Sequence, residues 1–144
     1  MLLFIEMQLN YFAILLATIA QFIIGAIWYM PIFGKIWGKI HGFDKVPKAK
    51  QQKMMRSMTP YLIMQFVVTL VTTIVLALFI TYLPLWNAYA IAAFFWIGFV
   101  VPTQVGAVVF GGTEGKWVVI KIAIMAGGSL LCLETAAIIL HIFV

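Results

Sequence analysis

The chain has 144 residues, of which 65% are hydrophobic and only 9% are charged. A soluble domain of this size needs far more charge to cover its surface, so the composition excludes a soluble protein and predicts a membrane protein. The formal net charge is +5. We interpret this excess as basic loops on one side of a bilayer, and we predict no nucleic-acid partner.

Four apolar runs are long enough to cross a bilayer, which takes about 20 residues of helix. They are predicted as spans at 11–30, 60–83, 86–110 and 117–143. No basic segment precedes the first run, so it is predicted to be a retained span and not a signal peptide. Short connections make neighbouring spans antiparallel. The sequence therefore predicts an all-α, up-and-down four-helix bundle forming one transmembrane domain over 1–144.

The connection at 31–59 has a helical pattern of its own. Apolar residues recur at helical spacing after Pro31, which is expected to end the first span, and Asp44 can cap a second short helix. The sequence thus predicts two short amphipathic helices whose apolar faces lie among the lipid headgroups. The basic residues on their other faces are expected to contact anionic lipids, at about 1 kcal/mol each.

Lysine and arginine fall on one side of the predicted bundle. Seven of the nine lie in the connection at 31–59, and the other two, Lys116 and Lys121, flank the connection at 111–116. The opposite side, which includes residues 1–10, has none. The positive-inside rule therefore places both connections in the cytoplasm and both termini outside.

With the direction of each span assigned, the rise of about 1.5 Å per residue gives the depth of each polar side chain. One predicted layer near the bilayer midplane contains Gln21, Thr72, Thr73, Trp96 and Glu134. A second predicted layer, nearer the cytoplasm, contains Gln65, Gln104 and Lys121. These two layers hold the candidate site residues.

Glu134 is the only carboxylate predicted deep in the membrane, where a charged side chain costs about 2.5–3.5 kcal/mol. One interpretation is a packing contact, in which protonated Glu134 donates to the Gln21 carbonyl and joins the first and fourth spans. The other is a proton or cation site, or an anchor for a ligand. Lys121 either extends toward the membrane interface or attracts an anion.

A run of aromatic and small residues at the end of the first span resembles a family signature. Its positions are Gly25, Trp28, Tyr29, Pro31, Phe33, Gly34 and Trp37. Together with Trp96, the run is similar to the bacterial membrane family called domain of unknown function 1761. The resemblance implies four spans and no assigned activity. It therefore marks signature positions without giving them roles. Separately, we expect the protein to lie in the plasma (inner) membrane.

Three classes of function remain open. The working hypothesis is that a small bundle, as a homo-oligomer, binds or passes a small solute or proton through the midplane layer. The alternative is a non-catalytic subunit of a larger membrane complex, which small residues on the outside of the bundle would favour equally. A lipid- or quinone-linked enzyme is the third. It has little support, because no metal-binding pattern, cofactor site or catalytic motif is predicted.

Overall fold

The computed structural model describes residues 8–143, and this part of the chain consists of helices and connections without a β-strand. Four helical stretches are long and apolar enough to cross a membrane. We name them the first to fourth spans: Tyr11–Ile32, Thr59–Tyr82, Ala88–Phe110 and Gly115–Ile142. The predicted all-α bundle of four spans is confirmed, and every span boundary lies within two residues of its predicted position.

The regular helices are, in chain order, α1 (Tyr11–Ile27), α2 (Gly34–Ile40), α3 (Lys48–Arg56), α4 (Thr59–Tyr82), α5 (Ala88–Phe95), α6 (Val101–Phe110) and α7 (Val118–Ile142). Asparagine side chains cap the N-termini of α1 and α5. Asn10 accepts a hydrogen bond from the Ala13 N–H, and Asn87 accepts one from the Tyr89 N–H. Two π-helical turns, Trp28–Ile32 and Trp96–Val100, extend or interrupt the first and third spans.

Pro31 does not end the first span where the sequence predicts. It lies inside the π-helical turn, which runs on to Ile32. The wider turn is closed by the backbone N–H of Phe33, which donates to the Trp28 carbonyl at 3.0 Å. The missing N–H of proline is therefore tolerated, because the chain is already leaving the α-helical pattern at this point.

The two short helices predicted in the first connection are present as α2 and α3. Gly42 separates them with a backbone φ of 70°, a left-handed conformation that glycine adopts without strain. Asp44 lies in a 3₁₀ turn and does not cap α3, which begins after Pro47. Instead the Gln51 side chain ties the segment together by donating to two backbone carbonyls at 2.9 Å each.

The bundle has two different ends. The basic end carries residues 33–58 and 111–114, and the opposite end carries Asn10, residues 83–87 and Phe143. At the opposite end the Asn10 side chain donates to the Phe143 carbonyl at 2.9 Å, which joins the first and fourth spans. α7 lies at the centre, because it packs against the first, second and third spans.

The buried core lies in the half of the bundle nearer the opposite end. Alanine is frequent in it, and such small side chains let helices approach closely. The core residues include Ala13, Ala17, Leu76, Ala77, Ala88, Ala92, Leu133, Ala136, Ala137 and Leu140. Toward the basic end, by contrast, residues 61–65 of the second span are all exposed.

Candidate functional site

Three consecutive backbone carbonyls of the fourth span each accept a hydrogen bond from a side-chain N–H of another span. We call this arrangement the indole collar. Its bonds run from Trp28 Nε1 to Ile124 O (2.8 Å), from Gln104 Nε2 to Met125 O (3.4 Å), and from Trp96 Nε1 to Ala126 O (2.8 Å). The first and third spans are therefore hydrogen-bonded to the same turn of the fourth span.

Two glycines let the first span approach this turn. A Cβ atom on Gly128 would lie 2.8 Å from Cδ1 and Nε1 of Trp28, and one on Gly127 would lie 2.9 Å from Cζ2. These distances are shorter than van der Waals contact, so the indole ring rests directly on the helix backbone. The close approach places the Trp28 N–H beside the Ile124 carbonyl.

A π-helical turn aligns the donors of the third span. Trp96 and Gln104 are eight residues apart, which in a regular α-helix leaves them about 80° apart around the axis. The extra residue of the turn Trp96–Val100 removes about 100° and brings both side chains to one face. The Ser129 hydroxyl lies on the same side, 3.0 Å from Ala126 O and 3.4 Å from Gln104 Oε1, and can donate its one proton to either.

The predicted midplane layer is only partly assembled. Gln21 and Thr73 meet, with Gln21 Nε2 donating to Thr73 Oγ1 at 2.7 Å, and both side chains are buried. The Thr73 hydroxyl donates onward to the Thr69 carbonyl at 2.7 Å. Thr72 is exposed and bonds only within its own helix, to the Val68 carbonyl. The structure therefore joins the first and second spans at this depth.

Glu134 lies apart from this pair. The Cys132 thiol donates to the Gln21 carbonyl at 3.5 Å, so Cys132 marks the side of α7 that faces the first span. Glu134, two residues later, is turned about 200° around the helix. Within residues 8–143 its partly buried carboxyl makes no hydrogen bond or ion pair. The expected bond between Glu134 and Gln21 is therefore absent from residues 8–143, and the Gln21 side chain donates to Thr73 instead.

The second predicted layer does not converge on one point. Gln65 is exposed and donates to Thr69 Oγ1 of its own helix at 3.3 Å, whereas Gln104 belongs to the indole collar. Lys121 lies elsewhere, with its Nζ 5.7 Å from the ring centroid of Trp37. The side chains of these three residues therefore point in different directions.

The aromatic positions of the family signature form a cluster at the basic end. The ring centroids of Trp28 and Phe33 are 4.6 Å apart, and those of Tyr29 and Trp37 are 4.8 Å apart. A Cβ atom on Gly34 would lie 3.3 Å from the Tyr29 carbonyl oxygen, so this glycine lets α2 begin close to the first span. The two ring pairs and this close approach therefore hold α2 against the end of the first span.

Two further signature positions have no such contact. A Cβ atom on Gly25 would meet nothing within 4 Å, and Pro31 is exposed within the π-helical turn. Within residues 8–143, no three His, Cys, Asp or Glu side chains group closely enough to hold a metal ion.

The carbonyls of the indole collar and Ser129 are not among the predicted site residues. Main-chain acceptors leave no mark in a sequence. The signal that could have indicated them is the pair Gly127-Gly128 in the middle of an apolar run, because adjacent glycines allow a large side chain to reach the backbone.

Four long apolar helices that pack through small residues and inter-span hydrogen bonds define a small multi-pass membrane protein. The family described as Protein of unknown function (DUF1761) matches residues 12–140, and the chain belongs to this family. No curated protein and no solved structure matches the chain.

Proposed function

We propose that the protein binds protons or small cations at Glu134, in a membrane-embedded homo-oligomer. One observation carries this proposal. Glu134 lies nine residues before Phe143, hence about 14 Å into the membrane, and its carboxyl has no hydrogen bond or ion pair within residues 8–143.

The surroundings of Glu134 make the charged form of its carboxyl unfavourable. Leu131 and Ile138, one turn to either side, are 45% and 41% exposed, so Glu134 borders the lipid-facing strip of α7. A charged carboxylate at such depth costs about 2.5–3.5 kcal/mol. The group therefore takes up a proton, binds a cation, or is covered by a polar surface of a neighbouring subunit.

The outer surface of the bundle supports assembly. Thr72 and Gln65 are polar yet exposed at membrane depth. Gly98 and Gly106 of the third span have free space, since a Cβ atom on either would meet nothing within 4 Å. Small and polar residues on lipid-facing surfaces are the usual contacts between membrane helices. A second copy of the chain packed there would shield polar groups that one copy leaves open.

Labelling with a hydrophobic carbodiimide tests whether Glu134 holds a proton, because this reagent modifies protonated carboxyls in apolar surroundings. In proteoliposomes, mass spectrometry of the fragments is expected to find the label on Glu134 and not on Asp44 or Glu114, which are exposed. Labelling should increase as the pH is lowered. Equal labelling of all three carboxyls, or none on Glu134, would contradict the proposal.

Transport measurements then test the role of the proton. With a pH-sensitive dye inside proteoliposomes, the wild type is expected to move protons, and Glu134→Gln is expected to abolish this movement. Glu114→Gln is the matched control, because it makes the same chemical change at an exposed ion pair with Lys116. Proton movement that survives Glu134→Gln would exclude Glu134 as the site.

A non-catalytic subunit of a larger complex is the second candidate, and the same exposed polar groups favour it. The methionines Met54, Met55 and Met58 are also exposed, at 42%, 51% and 45%. Purification in mild detergent separates the two candidates. A stoichiometric partner would support the subunit, and a homo-oligomer without a partner would support the first proposal.

A further inference from the structure

Two lysines at the basic end make similar contacts with tryptophan but differ in their ionic partners. Lys116 Nζ lies 5.6 Å from the ring centroid of Trp117 and 3.1 Å from Glu114 Oε1. Lys121 Nζ lies 5.7 Å from the ring centroid of Trp37. Within residues 8–143, Lys121 has no carboxylate partner and no hydrogen bond. The two sites thus differ by one missing anion.

The Lys121 ammonium has three N–H donors. The face of an indole ring attracts the positive charge but offers no acceptor atom for these donors. Lys121 is also partly buried, whereas the side chain of Lys116 is 64% exposed and can be hydrated. A partly buried cation without an anion is unfavourable. The position of Lys121 therefore calls for a negatively charged group from outside the chain.

The direction of the Lys121 side chain indicates where that group lies. Side chains of an α-helix tilt toward its N-terminus, and the N-terminus of α7 is at the basic end. The ammonium is accordingly directed toward the lipid headgroups and meets Trp37 on α2. The Trp37 ring is held in place by the rings of Tyr29 and His41, whose centroids are 4.8 Å and 4.6 Å away.

We propose that Lys121 and Trp37 bind the phosphate of an anionic lipid headgroup where α2 meets the fourth span. The phosphate supplies the anion that Glu114 supplies to Lys116. A lipid fits better than a free phosphate ion, because acyl chains can cover exposed apolar residues of the segment that holds Trp37. In that segment Met30 and Ile36 are 57% and 40% exposed. The ammonium of Lys121, which has no carboxylate partner within residues 8–143, favours anionic over zwitterionic lipid at this site.

Native mass spectrometry of the protein released from nanodiscs tests the site, with phosphatidylglycerol and phosphatidylcholine mixed in equal amounts. The wild type is expected to retain phosphatidylglycerol preferentially. Lys121→Gln should weaken this retention about fivefold, which corresponds to about 1 kcal/mol for one basic residue. Lys121→Arg should keep it, because the charge remains. Lys116→Gln is the matched control and should retain the lipid as the wild type does.

Each contrary result has a clear meaning. Equal retention by Lys121→Gln and the wild type would overturn the proposal. An equal loss in Lys116→Gln would also overturn it, since general surface charge would then explain the preference. Displacement of the lipid by millimolar inorganic phosphate would assign the site to the free ion. If Lys121→Gln does not fold, Lys121→Met takes its place, because it keeps most of the length of the side chain without the charge. Equal retention by that variant and the wild type would overturn the proposal.

Discussion

Two turns of the fourth span differ in whether their polar groups are hydrogen-bonded to other spans. At the indole collar, the carbonyls of residues 124–126 accept side-chain N–H groups from two other spans, and Gly127 and Gly128 bring the first span into contact. Eight residues beyond Ala126, Glu134 has a carboxyl with no partner within residues 8–143. The same helix therefore has one turn whose carbonyls accept hydrogen bonds from other spans. It has another turn whose carboxyl makes no hydrogen bond within the described residues.

The difference shows which polar groups hold the bundle together. In a bilayer, helices associate through packing and inter-helix hydrogen bonds, because there is no hydrophobic force between them. The collar and the bond between Gln21 and Thr73 supply such contacts. Glu134 adds none within the described residues. Its position inside a span is therefore unfavourable, and no contact with another span offsets this. This asymmetry is the reason to look for function at Glu134 and for stability at the collar.

Gly128→Ala should give the largest effect, because it breaks the paired turn directly. The new Cβ atom would lie 2.8 Å from the Trp28 ring, so the indole must shift and lose its bond to Ile124. We expect a loss of about 1–3 kcal/mol, typical of overpacking, measured as a lower unfolding temperature in detergent. Gly25→Ala is the control, since a Cβ atom on this glycine of the first span meets nothing within 4 Å. Equal stability of the two variants would mean that the close approach is not needed.

The fold was predictable from the sequence because apolar length alone sets the spans. The contact between Gln21 and Thr73 was also within reach of the sequence, since the constant helical rise puts the two residues at the same level of the bundle. The direction of each side chain around its helix was not predictable from depth. Glu134 has a depth similar to that of Gln21, yet it lies about 200° from the Cys132 position that contacts Gln21.

The collar escaped prediction for a second reason. Trp96 and Gln104 were assigned to different layers, and only the π-helical turn between them brings both to the fourth span. An extra residue in a helical turn has no reliable sequence signal, because it depends on the packing that it serves. Their acceptors are backbone carbonyls, which every residue possesses.

Trp28→Phe should have a smaller effect than Gly128→Ala, because it keeps the ring packing and removes only the N–H donor. Inter-helix hydrogen bonds in membranes contribute about 0.6 kcal/mol on average and up to about 1.7 kcal/mol. We expect a loss in that range for Trp28→Phe, measured by reversible unfolding in mixed micelles. Trp86→Phe is the control, because Trp86 is 52% exposed outside the spans. If both variants unfold alike, the indole N–H contributes nothing measurable.

Glu134→Gln should have the smallest effect on stability, even though it removes a charge from the middle of a span. No partner within the described residues loses a contact, so we expect a change within about 0.5 kcal/mol of the wild type. Gln21→Leu, at similar depth, should cost more, because it deprives the buried Thr73 hydroxyl of its donor. The same unfolding assay applied to both variants compares them directly. If Glu134→Gln destabilised the protein as much as Gln21→Leu, Glu134 would be a packing residue, and a loss of proton movement in that variant could no longer be assigned to a binding site.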